Sequence, residues 1–451
     1  MNPKTFQNIL CSATTFFFIL VVHLSAWAKL SIPHESYVLD NGLHVILHQD
    51  RSLPKVVVNL WYHVGSKDEK KRRSGFAHLF EHLMFMGTQN VPDGQFDILM
   101  EKLGAKNNAT TSFDRTNYFS WGDSQALPVL LWLEADRMYA LGDNMTQEKL
   151  DLQRKVVRNE RRQDDENQPY GMLMTTMIQN IFPKDHPYWG TVIGSHEDLE
   201  KATVEDVKDF FREYYRPDNA SLVVAGDFDL AEAKKWIDQY FAWIPRGKTP
   251  LSKAKAYAGK WPRSYKSISL KDEVSLPLLT LNYRSPKANA KGDAEMDLVA
   301  SLLTGGKSSR LYQALKVKKD WVQSVGAYQI SSELDSMFTI RAFIKPGIPI
   351  DSVKKVMDQE IQKLIEEEIA DQELSRVKKQ YESSSVWSLE GLLHRADELN
   401  YCQYHYKKAD CLEENLQRYL LASPSQVQSW AKNVFSSTRL EIRILPKGNA
   451  S

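Results

Sequence analysis

Two histidines and a glutamate lie close together in the stretch from Ser74 to Thr88, and their spacing suits metal-dependent hydrolysis. On a helix, His78 and His82 are four residues apart and share one face, so two neutral imidazoles can bind one divalent ion. Glu81 lies beside them, where it can act on a water molecule without being a ligand. The order H-x-x-E-H is the inverse of the commoner H-E-x-x-H zinc motif. The less specific interpretation is a helix with two surface histidines and a solvated glutamate.

The sequence around this motif predicts the helix that must hold these groups. Apolar residues recur at the spacing of a core-facing helix side, at Phe76, Leu79, Phe80 and Leu83. Ser74 precedes them and is predicted to be the N-cap. Packing of the apolar side would hold the helix, while the two histidines and the glutamate face a cavity.

A catalytic zinc ion needs a third protein ligand, because three ligands and a water complete its coordination. The predicted helix from Thr146 to about Asp164 is highly charged, so its glutamates are expected to face solvent. Glu160 differs, because it follows Val156 and Val157 at helical spacing on the apolar side. An unpaired buried carboxylate is unfavourable, and a metal ion would be a suitable partner. Glu160 is therefore predicted to be the third ligand.

A polar hairpin is predicted from Asn107 to Phe119, a run rich in threonine and aromatic residues with a turn at Asp114-Arg115. The plainer interpretation is an edge hairpin without a functional role. The functional interpretation is an edge strand that pairs with an extended peptide through its backbone groups.

Length and composition bound the class of protein. A chain of 451 residues is expected to form two or three domains, and 25% charged with 42% hydrophobic residues is typical of a soluble globular protein. The formal net charge is +1, and no long basic run is present. We therefore expect neither nucleic acid nor an anionic membrane surface as a partner.

The first 28 residues predict a secretory signal peptide. Lys4 precedes a mostly apolar run from Ala13 to Leu24, and Ala26-Trp27-Ala28 offers an A-x-A cleavage site. The apolar run is too short to span a bilayer comfortably, so a cleaved leader fits better than an anchor. We expect a mature chain that begins at Lys29 and works in a bacterial periplasm, without a stable membrane anchor.

Two cysteines, Cys402 and Cys411, would remain in the mature chain. An oxidising compartment would permit a disulfide between them, and a pair of free thiols is equally compatible with the sequence. Neither cysteine has a C-x-x-C partner, so they do not predict a metal site.

A repeated order of elements indicates two similar domains. A helix, a short loop and a strand occur from Thr203 to Val224 and again from Ser425 to Ile442, so that one repeat closes each half. The stretch 246–265, with prolines near its start and many lysines, predicts a linker. We expect an N-terminal domain over residues 29–245 and a C-terminal domain over residues 266–451.

Four motifs of this chain are informative in combination. They are His78-Leu79-Phe80-Glu81-His82, Val156-Val157-Arg158-Asn159-Glu160, Asn108-Ala109-Thr110 and Gly305-Gly306-Lys307-Ser308-Ser309-Arg310-Leu311. Together they resemble the pitrilysin/insulinase family of zinc metallopeptidases, the inverzincins. The length resembles the short bacterial, mitochondrial-processing-peptidase-like branch of that family, and the similarity covers nearly all of the mature chain.

The resemblance implies an α+β fold of two similar domains, each a mostly antiparallel sheet with helices packed on one face, and two such units enclose a chamber. It also implies that the N-terminal domain is the zinc-binding peptidase domain and that the C-terminal domain is inactive. The positions that match the family are, for zinc, His78, His82 and Glu160, for the general base, Glu81, and for substrate binding, Asn108 and Ala109. A second glutamate often stands seven residues before the third ligand, and Gln153 occupies that position here.

The activity implied by the resemblance is that of a zinc-dependent endopeptidase, with Zn²⁺ as its cofactor and peptides or unfolded segments as its substrates. The alternative is a non-hydrolytic relative of the same fold that binds peptides or has a structural role. The presence of all four metal-site groups favours the enzyme.

An arginine and a tyrosine that the family uses are missing from this chain, and their absence suggests a partner subunit. The family uses an arginine and, seven residues later, a tyrosine, from the C-terminal half or from a partner subunit. Arg310 and Tyr312 are only two residues apart, and the matching frame has Lys316 and Gln323 instead. We therefore expect a heterodimer with a homologous subunit that supplies the arginine and the tyrosine, and a homodimer is the alternative.

Overall fold

The computed structural model describes residues 29–262, 264 and 266–447, and the predicted signal peptide lies outside them. The first half contains strands β1 (Glu35–Val38), β2 (His44–Gln49), β3 (Lys55–Tyr62), β4 (Lys106–Thr111), β5 (Thr116–Asp123) and β6 (Ala220–Gly226). Its α-helices are α1 (Phe76–Leu83), α2 (Gln95–Lys102), α3 (Leu127–Ala140), α4 (Gln147–Glu160), α5 (Leu173–Ile181), α6 (His196–Glu200), α7 (Val204–Tyr214) and α8 (Leu230–Phe241).

The second half repeats this arrangement with fewer helices before its closing strand. Its strands are β7 (Lys266–Asp272), β8 (Leu278–Ser285), β9 (Val322–Ile330), β10 (Ser336–Ile344) and β11 (Arg439–Pro446). Its α-helices are α9 (Asp293–Thr304), α10 (Ile350–Glu366), α11 (Asp371–Ser388), α12 (Leu392–Tyr406), α13 (Leu412–Leu420) and α14 (Pro424–Phe435).

Strand order shows that the two halves share one topology. The first sheet has the order β1-β2-β6-β3-β5-β4 and the second has β7-β11-β8-β10-β9. The last strand of each half lies between two earlier strands and runs parallel to one of them. In the first half β6 is parallel to β2, and in the second half β11 is parallel to β7. The remaining neighbours are antiparallel. The predicted α+β fold with two similar, mostly antiparallel sheets is confirmed, and so is the repeat that closes each half.

Each sheet packs on one face against helices of its own half and on the other face against one helix of the opposite half. Val57 and Val223 of the first sheet share a buried cluster with Leu399 of α12. In the same way, Ile442 of the second sheet packs with Ile178 of α5. Because the central strands are apolar on both faces, they need cover on both sides. The exchanged helices supply this cover and hold the halves together.

The equivalent hairpins of the two halves, β4–β5 and β9–β10, meet at their turns. Asp114, in the first turn, accepts hydrogen bonds from the backbone N–H of Glu333 in the second turn (2.9 Å) and from the Tyr188 hydroxyl (2.5 Å). The buried Lys67 ammonium lies 3.6 Å from Asp114 Oδ1 and 3.3 Å from Glu333 Oε2. This network fixes the tip of the β4–β5 hairpin and therefore the position of β4.

Residues 242–265 connect α8 to β7, and the described part of this stretch contains no helix or strand. The predicted linker falls within it, while the domain bounds 29–245 and 266–451 stay predictions. Cys402 and Cys411 form a disulfide that ties α12 to the start of α13, so the pairing left open by the sequence takes the bonded form. None of the helices in the described ranges is long and apolar enough to cross a membrane.

Candidate metal centre

Helix α1 begins through a different contact from the one predicted. The N-cap is Gly75, with φ of 88°, a left-handed conformation that glycine adopts without strain. The Glu69 carboxylate accepts hydrogen bonds from the N–H groups of Gly75 (3.1 Å) and Ala77 (2.8 Å). The predicted N-cap, Ser74, is wrong, because its hydroxyl donates to Asp198 (2.5 Å) instead. A carboxylate from outside the helix thus satisfies its first N–H groups.

The two sides of α1 are divided as the sequence predicts. The apolar residues Phe76, Leu79, Phe80 and Leu83 are all buried. His78, Glu81 and His82 lie on the other side, where each side chain keeps some exposure. Burial of the apolar side therefore holds α1 in place and leaves the three polar groups accessible.

Helix α4 packs against α1 and brings Glu160 to both histidines. Glu160 Oε1 lies 3.6 Å from His78 Nε2, and Glu160 Oε2 lies 3.2 Å from His82 Nε2. The ligand atoms of the three side chains all lie within 4.8 Å of one another. Two ligands of one tetrahedral zinc ion, each about 2.0–2.1 Å from it, are about 3.3 Å apart. The spacing therefore fits a single zinc ion, and no other such group occurs in the described ranges of the chain.

The surroundings of His78 and Glu160 favour the forms of these side chains that bind a metal. Burial lowers the pKa of His78 to about 4, so its imidazole is neutral near pH 7. Contact with His82 holds the pKa of Glu160 below its usual value, against the opposing effect of burial. Metal ligands must be deprotonated, and the shifts of His78 and Glu160 both favour the deprotonated form. A π-helical turn over Arg161–Glu166 follows Glu160 directly, as often occurs at functional sites.

Glu81 lies next to the metal-binding side chains but outside their group. Its pKa is raised, first by burial, while a hydrogen bond from Thr111 and the nearby charge of Arg115 oppose the rise. The Thr111 hydroxyl donates to Glu81 Oε2 at 2.5 Å. A carboxylate with a raised pKa is suited to accept a proton and to return it. The arrangement can therefore support general acid–base chemistry beside a metal.

The strand that contains Asn108 and Ala109, β4, is the outer strand of the first sheet, so one of its sides pairs with no other strand. Ser112 N–H donates to Arg115 O across the hairpin, and alternate residues of a regular ladder point in opposite directions. The backbone groups of Ala109 and Thr111 therefore face the open side. Asn108 is exposed, and its Oδ1 accepts a hydrogen bond from the Ala109 N–H at 2.8 Å.

The C-terminal residues considered as substitutes for the family's arginine and tyrosine have other contacts. Arg310 forms two hydrogen bonds to the Glu373 carboxylate, at 2.9 and 2.7 Å. Lys316 Nζ donates to Val322 O at 3.1 Å, and Gln323 is exposed. The contacts of Arg310 and Lys316 are therefore with other residues of the second half.

Sequence reasoning missed Thr111. The signal was available, because Thr111 follows Ala109 by two residues and alternate residues of a strand share a face. What the sequence could not show is that this face of β4 lies against the polar side of α1. Gln153, at the position of the family's second glutamate, places its Nε2 2.7 Å from Met86 Sδ.

Two family models match the chain. The model described as Insulinase (Peptidase family M16) matches residues 44–189, which include the H-x-x-E-H helix and Glu160. The model described as Peptidase M16 inactive domain matches residues 201–381, so it begins within the first half and crosses the predicted linker. Together the two models cover most of the described residues.

Individual relatives and solved structures agree with these models. Zinc protease PqqE of Helicobacter pylori is 32% identical over 386 residues, which cover 82% of this chain and 84% of that protein. The uncharacterized zinc protease YmxG of Bacillus subtilis is 22% identical over 421 residues, 92% of this chain and 98% of that one.

Among solved structures, a protease from Helicobacter pylori has a TM-score of 0.84 at 28% identity and covers 92% of this chain and 100% of its own. The first half of the periplasmic protease PqqL from Escherichia coli has a TM-score of 0.74 at 18% identity, which shows a shared fold, with coverage of 92% and 93%. The family models, the relative at 32% identity and the shared fold all indicate the same peptidase family. The chain belongs to peptidase family M16, the insulinase family.

Proposed function

We propose that this chain is a zinc-dependent endopeptidase that hydrolyses peptides or unfolded segments. The observation that carries the proposal is the convergence of His78, His82 and Glu160 beside Glu81, within reach of an open edge strand. Relatives named zinc proteases in Helicobacter pylori and Bacillus subtilis support it. The imidazoles of His78 and His82 and the carboxylate of Glu160 would hold the zinc ion.

Bound zinc would polarise the scissile carbonyl group and lower the pKa of an attacking water toward neutrality. Glu81 would accept the proton of that water and then deliver it to the nitrogen of the leaving amine. Its raised pKa favours the first step, because this carboxylate binds a proton more tightly than an exposed glutamate does. Glu81 does not belong to the group of ligand atoms, so it can move a proton without releasing the metal.

The open side of β4 would hold the substrate. An extended peptide can add to it as a further strand, with backbone hydrogen bonds that do not depend on sequence. The exposed Asn108 and the outward backbone groups of Ala109 would take part in this pairing. Substrates with unfolded segments are expected, because most strands inside a folded sheet already have their backbone groups paired.

A Glu81→Gln substitution tests the enzymatic assignment. The amide keeps the shape of the side chain but cannot accept the proton, so we expect zinc content to stay at the wild-type level while peptide cleavage is abolished. The measurement is zinc by atomic absorption together with hydrolysis of an unstructured, internally quenched peptide. Full activity of this variant with zinc retained would show that Glu81 is not the base.

The same assay separates the enzyme from a non-hydrolytic peptide-binding relative. Cleavage that a chelator removes and zinc restores supports the enzyme. Peptide binding without cleavage in the zinc-loaded wild type would support the binding protein.

We further propose that the chain is the zinc-bearing subunit of a two-subunit enzyme, with a homodimer as the alternative. The side chains of His82 and Glu160 are 25% and 33% exposed, so one side of the site is open and a second subunit could enclose it as a chamber. Arg310 is engaged by Glu373, and Lys316 lacks the planar fork of an arginine. Another chain would therefore have to supply an arginine and a tyrosine.

Activity of the purified chain tests the subunit proposal. We expect the isolated chain to bind zinc yet cleave peptides poorly, and a homologous subunit without H-x-x-E-H to restore activity. If the chain alone cleaved peptides as fast as in the presence of any co-purified relative, the two-subunit proposal would fail.

We propose a periplasmic location for the mature chain. The leader-like sequence before Lys29 and the disulfide between Cys402 and Cys411 support it, since disulfides persist in oxidising compartments. N-terminal sequencing of the protein from a periplasmic fraction should begin at Lys29. Recovery of an uncleaved chain from the membrane fraction would contradict this proposal.

A further inference from the structure

We propose that Thr111 is a positioning residue whose hydroxyl holds one oxygen of Glu81 and leaves the other oxygen to move the proton. The proposal rests on the proposed function, because it assigns a task in the same reaction. It goes beyond the metal ligands and the base, since Thr111 belongs to the strand that would bind the peptide.

The contact joins a helix and a strand that are distant in the sequence and packed together in the fold. Glu81 lies on α1 and Thr111 is the last residue of β4, and the Thr111 hydroxyl donates to Glu81 Oε2 at 2.5 Å. A glutamate has three rotatable side-chain bonds, so a contact to one oxygen removes most alternative orientations of the carboxylate. The second oxygen, Oε1, is not engaged by Thr111 and is left for proton transfer.

Threonine is well suited to this task. Its branched β-carbon restricts rotation about χ1, so the hydroxyl keeps a fixed direction, and the residue is favoured in strands. The preceding residue, Thr110, points to the opposite face, where its hydroxyl donates to Asn117 Oδ1 at 2.6 Å. Only Thr111 of this pair is therefore placed to reach Glu81.

The same residue connects the base to the bound peptide. The backbone N–H and C=O of Thr111 face the open side of β4, where an added strand would pair with them. Pairing would fix the backbone of Thr111, and the hydroxyl attached to it would fix Glu81. Peptide binding and alignment of the base would then be coupled through one side chain.

The competing explanation is that the hydroxyl only satisfies a buried carboxylate. Under that explanation, its removal would lower stability or metal content, and activity would fall only as folded, metal-loaded protein is lost. A positioning role instead predicts a fall in kcat with KM, zinc content and melting temperature unchanged.

The test compares Thr111→Val, Thr111→Ser and Thr116→Val in the zinc-loaded protein, together with its partner subunit if one is required. Thr116 pairs with Thr111 across the hairpin, and its hydroxyl donates to Val64 O at 3.0 Å rather than to Glu81. Thr111→Val should lower kcat about 10- to 100-fold, the range expected for a hydrogen bond to a charged group. Thr111→Ser should restore most of it, and Thr116→Val should lower stability without lowering kcat.

A second readout does not depend on activity. In crystal structures of the metal-free proteins, the Glu81 carboxylate should keep one conformer in the wild type and in Thr111→Ser, and should turn away or adopt several conformers in Thr111→Val. An unchanged kcat or an unmoved Glu81 in Thr111→Val would overturn the proposal. An inactive wild type would overturn the proposed function instead, and the crystal structures would still decide the assignment of Thr111.

Discussion

The two halves of this molecule place equivalent helices against equivalent sheets and use them differently. Helix α1 follows β3, and α9 follows β8, at the same position in the shared strand order. Each helix presents two polar residues four positions apart, His78 and His82 in α1 and Asp293 and Asp297 in α9. The two pairs differ in the side chains that surround them.

In the second half the polar pair is satisfied by donors of the protein itself. Asp293 Oδ2 accepts from Arg418 Nη2 at 2.7 Å, and Asp293 Oδ1 accepts from Gln329 Nε2 at 2.8 Å. The Tyr419 hydroxyl donates to Asp297 Oδ2 at 2.8 Å. These hydrogen bonds occupy carboxylate oxygens of both aspartates. The two aspartates therefore contribute to stability rather than to ligand binding.

In the first half the two histidines of α1 lie beside a third side chain that can bind a metal ion. His78 and His82 face the Glu160 carboxylate, and the three ligand atoms converge on one point. Three electron-pair donors that lie this close together suit a bound cation. Convergence of three potential metal ligands, rather than the number of polar groups, therefore distinguishes the first cluster from the second.

The largest effect is expected when the first site is broken. His82→Ala removes one of three ligands, so we expect loss of bound zinc and a fall in peptide hydrolysis of at least about a thousandfold, equivalent to about 4 kcal/mol. The matched change in the second half, Asp297→Asn, should keep both zinc and activity. Metal content and initial rates measure both variants, and retention of zinc by His82→Ala would contradict the assignment of this ligand.

Breaking the second site should affect stability alone. Arg418→Ala leaves Asp293, whose side chain is 5% exposed, without its cation, and we expect a loss of about 3 kcal/mol in the free energy of unfolding. The control is Lys408→Ala, because the pair of Lys408 and Glu414 is more than half exposed and worth at most about 1 kcal/mol. Urea unfolding measures both, and a change in zinc content of Arg418→Ala would contradict the separation of the two sites.

A smaller effect should appear in the pH dependence of stability. Burial, and then the charge of Asp293, raise the pKa of Asp297 from 3.8 to about 7. The folded state thus binds this proton more tightly than the unfolded state, so the contribution to stability is complete below about pH 4 and is lost as pH rises through 7. Asp297→Asn has no such proton to lose.

Relative to the wild type, Asp297→Asn should therefore gain about 2–3 kcal/mol in unfolding free energy between pH 5 and pH 8, since one pKa unit corresponds to about 1.4 kcal/mol. Urea unfolding at the two pH values measures this difference. A difference that does not change with pH would show that the pKa of Asp297 is not raised in the folded protein.

The sequence was sufficient to predict the features that depend on local pattern. The apolar spacing of Phe76 to Leu83 predicted which side of α1 is buried, and the repeated helix–strand order predicted two similar halves. The position of Glu160 relative to Val157 suggested a carboxylate near the core, and the structure brings it to the histidines. These inferences succeed because helical periodicity alone determines which residues share a face.

The remaining features depend on tertiary contacts between distant segments. Ser74 has the residue type of an N-cap, but Glu69 competes for the same N–H groups from outside the helix. The contact of Thr111 with Glu81 requires knowing which face of β4 meets α1. The exchange of α5 and α12 between the sheets likewise leaves no local pattern, because a strand buried on both faces does not specify which helix covers it.

The most direct test of the comparison is to locate the metal itself. Crystals of the full chain soaked in zinc should be measured on both sides of the zinc absorption edge. If His78, His82 and Glu160 are the zinc ligands, we expect one anomalous peak about 2.0–2.2 Å from His78 Nε2, His82 Nε2 and a Glu160 oxygen. We expect no peak beside Asp293 and Asp297. An absence of signal between α1 and α4, or a peak at α9, would contradict the central claim that only the first half forms a metal site.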